Sequence, residues 1–526
     1  MLKRSRALAS VALVALAMGA GAAPAGAETL QEAIGLAYRT NPTLLAQRAN
    51  QRALDETIVQ ARSGLRPTIS ASAGVDYSRT RTDRLTTTIP GQTIPIDTDG
   101  DNVPDAFGTL PASTSTIGGT SESDGASASI SLSQNIWTAG RTARGIDAAE
   151  ANVRAGRENL REVEQQVMSS VIQAYADVVR DMEILRIRQE NITVLRRQLD
   201  ESNARFEVGE ITRTDVAQSE ARLAQSDADL ANAQAQLSVS RAAYAAVIGQ
   251  APTNMETLPV LPGLPADFDG ALDVALVENP GVLAATYALQ AAEANVAAAR
   301  SEYLPSARLT ASYGGTANNL SGFDLTDRTA FNAGATVSVP LFTGGLNRSR
   351  VAQALERANA AQISVEGERR GVLQSVSSAY AQTVAAKSTL QAGQEAVRAA
   401  SVAAEGVRQE AQVGLRTTLD VLNQELELRS AQVTLASAHR NQYVAQAQLL
   451  AAMGRLGGPN LDPSIAAYDA EANYNSVRNR GGLPWDGAVE ALDRVASPSI
   501  APAADVEDAP IDTQLKSEIV RTAPGN

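Results

Sequence analysis

The sequence predicts an α+β membrane protein in which one unit, a helix followed by two strands and two long helices, is built twice. Three observations carry this. Tyr175, Gly209, Asp215 and Glu220 recur as Tyr380, Gly414, Asp420 and Glu425, each 205 residues on. Asn41-Pro42 and Pro67 recur as Asn279-Pro280 and Pro305 at a separation of 238. Regions of apolar–polar alternation precede two long polar stretches that contain no proline. Such spacing constrains the architecture before any local element is assigned. The change from 238 to 205 places 33 extra residues in the first copy, between Pro67 and Trp137.

Residues 1–27 read as a secretory signal peptide: Lys3, Arg4 and Arg6, an apolar run from Ala7 to Ala20, then Ala25-Gly26-Ala27 before Glu28. The apolar run is shorter than the roughly 20 residues a membrane anchor needs. Losing the three basic residues takes the formal charge from -13 to -16. The absence of cysteine excludes disulfides, thiolate chemistry and a lipid-modified cysteine. His439, the single histidine, has no second histidine with which to build a zinc site. The acidic balance disfavours nucleic acid as a partner.

The first repeat is predicted over 28–255 and the second over 271–455, with a linker at 256–270 and a polar, largely disordered C-terminal tail at 456–526. Each repeat opens with a helix broken at Asn-Pro, where asparagine caps and proline suits the first turn. Alternation then predicts strands over about 68–80 and 126–136, and over about 306–314 and 331–341. Ile69, Ala71, Ala73 and Val75 interleave with Ser70, Ser72 and Gly74. The long helices are expected over 141–206 and 214–248, and over 346–412 and 418–453, rich in Ala, Gln, Glu and Arg. About 65 residues would extend roughly 98 Å, and such helices need a neighbour along a coiled-coil seam. Gly209 and Gly414 suit the turns between them. Pro67, Gly140, Pro305, Gly344 and Gly345 mark the strand–helix junctions.

Four amphipathic strands leave two open edges and an apolar face that the polar helices do not cover. In hydrocarbon, unpaired edges force closure into a barrel. Four strands cannot enclose a useful pore, so each chain is expected to contribute a share of a common barrel. Trp137, Tyr303 and Phe342 are candidates for an interfacial aromatic belt.

Together, the duplication, the Asn-Pro starts and the Val-Gly-x-x-Thr-x-x-Asp-Val turns at 208–216 and 413–421 resemble the TolC family of outer-membrane channel-tunnels. The resemblance covers about 28–455 and implies a homotrimer: a 12-stranded transmembrane β-barrel, four strands per chain, continuous with a long periplasmic α-helical barrel. It also implies a periplasmic adaptor and an inner-membrane transporter as partners, and outer-membrane lipid around the barrel. Carried onto this sequence, the family's periplasmic latch falls on Arg416, with Thr214 and Asp215 as its acceptors. The latch tyrosine is replaced by Ala411. The entrance aspartates fall on Asp420 and Asn423, of which only the first is charged. A ring of Asp420 side chains would favour cations, although aspartate there also suits a helix N-terminus.

The extra segment, about 83–124, is rich in Thr, Ser, Gly, Asp and Pro and reads as an extracellular loop. Within it, Asp97, Asp99, Asp101 and Asp105, with the Val103 carbonyl, resemble a calcium loop of hard oxygen ligands. No other cofactor is called for. No catalytic constellation is present, so the expectation is a non-enzymatic exit duct, with an ABC exporter and a secreted polypeptide as the favoured partners. A proton-driven pump for small molecules or metals is the alternative within that class. A periplasmic coiled-coil scaffold or adaptor is the alternative outside it.

Overall fold

The computed structural model describes residues 28–317, 325–326 and 328–502. The expected signal peptide at 1–27 and the last part of the tail, 503–526, lie outside the described residues. Helix α1 (Leu30–Thr40) starts with a capping box between Thr29 and Glu32. Helix α2 (Pro42–Ser63) starts at Asn41, whose Oδ1 accepts from the backbone N–H of Thr43 and Leu44 at 3.0 and 3.3 Å. The second repeat repeats this with α5 (Phe268–Glu278), Asn279 and α6 (Pro280–Ser301). The Asn-Pro starts are therefore helix starts, because the cap and the proline satisfy the first turn together.

The long helices are α3 (Arg141–Glu207), α4 (Arg213–Ile248), α7 (Leu346–Gln412) and α8 (Thr418–Ala452). Both α3 and α7 have 67 residues, or roughly 100 Å at 1.5 Å per residue. Small polar side chains let α3 and α4 approach closely: Asn191 Nδ2 donates to Ser226 Oγ at 2.9 Å, and Ser202 and Ser219 share a hydrogen bond of 3.2 Å. Large apolar residues gather in two clusters. Ile34, Leu44, Ile172, Tyr175, Tyr244 and Leu450 lie in one cluster; Phe268, Leu272, Val376 and Met453 lie in another. Each fully buried aliphatic or aromatic side chain contributes about 1.5–3 kcal/mol. Among the described residues no helix is long and apolar enough to cross a membrane.

Strands β1 (Thr68–Ile89), β4 (Ser113–Trp137), β5 (Ser306–Ala317) and β6 (Arg328–Ser338) form one antiparallel sheet in the order β1-β4-β5-β6. The register sorts the two faces. Ile69, Leu132, Ala311 and Ala333 lie in one row, and Ala71, Ile130, Tyr313 and Phe331 in the next. Between them, on the opposite face, Ser70, Ser131, Ser312 and Asn332 form a polar row. The strand β6 stops short of the expected 341, because Pro340 has no N–H for the ladder.

Two expectations are corrected. The extra segment is not an open loop: β1 and β4 run on to Ile89 and back from Ser113, and β2 (Gln92–Ile96) pairs with β3 (Ala106–Leu110) beyond them. Alternating serine and threonine, which read as loop composition, serve here as strand residues on a ribbon without a core face. Arg79 and Glu122 form an ion pair across it at 3.1 Å. Secondly, the tail is ordered as far as it is described. Helices α9 (Gly458–Leu461), α10 (Ala470–Val477) and α11 (Asp486–Asp493) strap the first repeat, burying Leu456, Leu461 and Val477. Its polar residues find fixed partners. The Arg48 guanidinium lies between the Tyr38 and Tyr468 rings, 4.4 and 4.8 Å from their centroids, and Asn473 donates to buried Asp55 at 2.7 Å.

Candidate functional site

The helix-turn tips are nearly superposable in their bonding. At the end of α3, Gly209 N–H donates to Phe206 O and Glu210 N–H to Arg205 O, both at 2.9 Å. At the end of α7, Gly414 donates to Ala411 O at 3.1 Å and Leu415 to Glu410 O at 2.9 Å. Gly209 and Gly414 have φ of 78° and 80°, a left-handed conformation that lets each helix end and reverse. Thr212 and Thr417 then start α4 and α8 with capping boxes.

The capping boxes give the predicted carboxylates definite work. Asp215 Oδ2 accepts from Thr212 N–H at 2.9 Å and Thr212 Oγ1 at 2.8 Å. Asp420 Oδ2 accepts from Thr417 N–H at 3.0 Å and Thr417 Oγ1 at 2.8 Å. The Thr212 hydroxyl and backbone hold Asp215 below the usual carboxylate range, and the Thr417 backbone and hydroxyl do the same for Asp420.

Arg416 does not reach Thr214 or Asp215. Its Nε donates to Glu410 Oε2 at 2.7 Å, within its own turn, and this carboxylate raises its pKa. Asp215 is occupied by its cap. The polar link between the helix pairs runs elsewhere. Arg222 on α4 donates to Asn423 Oδ1 on α8 at 3.1 Å, so the second predicted entrance residue is a crossing point. Deeper in, Glu425 is buried and receives Arg408, with Arg429 at 3.7 Å. Arg429 also approaches Glu190 of α3 at 4.0 Å, and Arg440 pairs with Asp177 of α3 at 2.8 Å. Sequence reasoning missed Arg222, Arg408 and Arg429. The only hint was Glu425, the repeat of exposed Glu220, whose environment the spacing could not show. Ala411 lines a groove of about 290 Å³ with Arg197, Arg205 and Arg408, where a larger side chain would fit.

The two junctions differ. Gly140 and Gly345 precede α3 and α7 with φ of 87° and 88°. Around Gly140 the tail closes in: Asp493 accepts from Thr138 N–H, from Thr138 Oγ1 at 2.8 Å and from Ala143 N–H at 3.1 Å. A Cβ on Gly140 would lie 2.2 Å from that of Ser497, whereas one on Gly344 or Gly345 would meet nothing within 4 Å. Pro67 and Pro305 each stand one residue before a strand. Of the three proposed belt aromatics, Trp137 is tied by its indole N–H to Val495 O at 3.0 Å, while Tyr303 and Phe342 are exposed.

In the distal turn, Asp97, Asp99 and Asp105 bring carboxylate oxygens within 4.8 Å of one another. The Asp101 carboxylate is not among the three and accepts instead from Val103 N–H at 2.8 Å. Backbone N–H groups of Gly100, Asn102 and Asp99 hold Asp97 below the usual range, and Thr98 does so for Asp105.

Residues 33–250 and 271–455 match the family model described as outer membrane efflux protein, and the boundaries fall on the two repeats. The chain belongs to this family. Among its relatives, outer membrane efflux protein BepC of Brucella suis is 32% identical over 454 residues, 86% of this chain and 91% of BepC. Alkaline protease secretion protein AprF of Pseudomonas aeruginosa is 26% identical over 321 residues, 59% of this chain and 66% of AprF. The solved open state of the MtrE outer membrane channel of Neisseria gonorrhoeae superposes with a TM-score of 0.63 at 24% identity, covering 83% of this chain and 91% of MtrE. The protein is thus a TolC-family channel of the outer membrane with a periplasmic extension.

Proposed function

We propose that three copies of the chain close a twelve-stranded barrel through the outer membrane, continuous with a periplasmic helical barrel, and that this trimer is the exit duct of a tripartite exporter. The observation that carries the reading is the sheet: a face with rows of Ile, Leu, Ala, Tyr and Phe, an opposite face rich in serine, threonine and asparagine, and two unpaired edges. Edges of that kind are satisfied in lipid only by closure. The polar face then lines a wet lumen.

The duct is passive, and its energy comes from an inner-membrane partner. Exposed Val208, Val413 and Leu415 at the tips form an apolar surface suited to a periplasmic adaptor. Adaptor binding parts α7 and α8 from α3 and α4 by breaking the Arg222–Asn423 link, and Asp420 lines the entrance. The cargo is a secreted polypeptide delivered by an ABC exporter: the sheet's polar face carries no side-chain pattern selective for a small ligand, and AprF is named for protease secretion. Efflux of small molecules through a proton-driven pump is the second reading, favoured by the name of BepC. A deletion strain separates them: retention of a secreted polypeptide in the cell supports export, whereas dye accumulation with normal secretion supports efflux.

In planar bilayers, Asp420→Ala is expected to lower the trimer's preference for cations, and Arg222→Ala to raise its resting conductance. Unchanged selectivity and conductance in both would remove the tips from the constriction. In the distal turn, we propose that Asp97, Asp99 and Asp105 take calcium at the cell surface. Calorimetry on the trimer should show heat on calcium addition that Asp97→Asn abolishes; no heat at millimolar calcium ends that assignment.

A further inference from the structure

Helix α11 is amphipathic with its faces reversed. Its carboxylates point into the protein: Asp486 pairs with Arg66 at 2.8 Å, Glu490 lines the groove beside Arg62 and Arg66, and Asp493 is fully buried against Thr138. On its outward side lie Ala488 and Leu492, flanked by Trp485 just before the helix and Val495 just after it. Trp485, Leu492 and Val495 are 50%, 46% and 58% exposed. A helix washed by water on its outer side carries the opposite arrangement.

The position of α11 identifies what covers the stripe. The ladder between β4 and β5 slips between Asn135 and Trp137, so that Trp137 pairs with Ala307, and Ala307 with Val337. This irregularity moves Trp137 into the row of the sheet's apolar face, at the end where the strands give way to helices. Its indole N–H then donates to Val495 O. The stripe of α11 therefore continues the apolar face of the sheet, beneath an inner strand of the protomer and away from the two edges at β1 and β6 where other copies join.

We propose that α11 is a membrane-interface anchor, with Trp485, Leu492 and Val495 inserted among the phospholipids of the periplasmic leaflet of the outer membrane. Short helices with an apolar face and a tryptophan lie in that zone, where the ring is apolar and its N–H stays wet. Asp493 fastens the anchor to the start of α3, so the leaflet, the strand–helix junction and the long helix are held at one level. The proposal rests on the sheet crossing the membrane.

The natural chain has no cysteine, which gives nitroxide labelling a clean background. Leu492→Cys, Ile130→Cys on the sheet and Asn475→Cys on α10 are labelled in the full-length protein. The trimers are then reconstituted in phosphatidylethanolamine–phosphatidylglycerol vesicles. The label at Leu492 is expected to collide severalfold more with oxygen than with a water-soluble nickel chelate, as at Ile130, and the label at Asn475 the reverse. A label at Leu492 that follows Asn475 while Ile130 stays in lipid overturns the anchor and leaves the barrel intact. Shielding of Leu492 from both reagents assigns the stripe to a protein neighbour and also overturns it. Nickel access at Ile130 removes the barrel reading and the anchor with it. In a Trp137→Phe chain, which gives up the bond to Val495 O, Trp485 is the sole tryptophan, and brominated phospholipids are expected to quench it.

Discussion

At the scale of single residues, the carboxylates Asp215 and Asp420 of the tips are helix caps. Asp215 and Asp420 have folded pKa values below the ordinary aspartate value of about 3.9. A depressed value means stability that is present above the unfolded pKa and is lost as pH falls through the folded one. The first turns of α4 and α8 should therefore keep their protection down to about pH 4 and open below it, which hydrogen exchange over 212–216 and 417–421 would read. Protection that is flat across this window would show that the caps contribute nothing. The sequence named both aspartates from the repeat alone. The resemblance aligned Arg416 with Thr214 and Asp215, because a motif fixes spacing along the chain; within the single chain its guanidinium donates to Glu410.

At the scale of elements, the turns depend on left-handed glycine. Replacing Gly414, at φ 80°, by alanine is expected to cost about 1–2 kcal/mol, and Gly209→Ala a similar amount. The check is a faster local exchange at the tip with an unchanged far-ultraviolet helix signal. No neighbour lies within 4 Å of a Cβ at either position, so strain in the backbone is the whole cost. The long helices were legible because proline-free runs with strong helix formers leave little alternative. The β1–β4 ribbon was not. Its distal half has serine and threonine on both faces, so the period of two that marks a half-buried strand is missing, and only cross-strand pairing reveals it.

At the scale of the whole molecule, the unpaired edges of β1 and β6 and the exposed outer face of α7 call for other copies of the chain. Light scattering of the detergent-purified protein is expected to give three times the chain mass. A monodisperse monomer would leave both edges open in lipid and would contradict closure.

By itself the sequence determined the duplication, the periodic elements, the capped turns and the two-faced alternation of the strands. These are consequences of spacing and of short-range chemistry, which a linear reading contains. The tertiary structure alone decided the order of the tail, the Arg222–Asn423 crossing and the reversed faces of α11. Each joins residues hundreds of positions apart or on separate helices. A polar segment such as 456–502 is disordered or fixed according to whether partners such as Asp55, Arg66 and Thr138 stand opposite it, and only the fold brings them there.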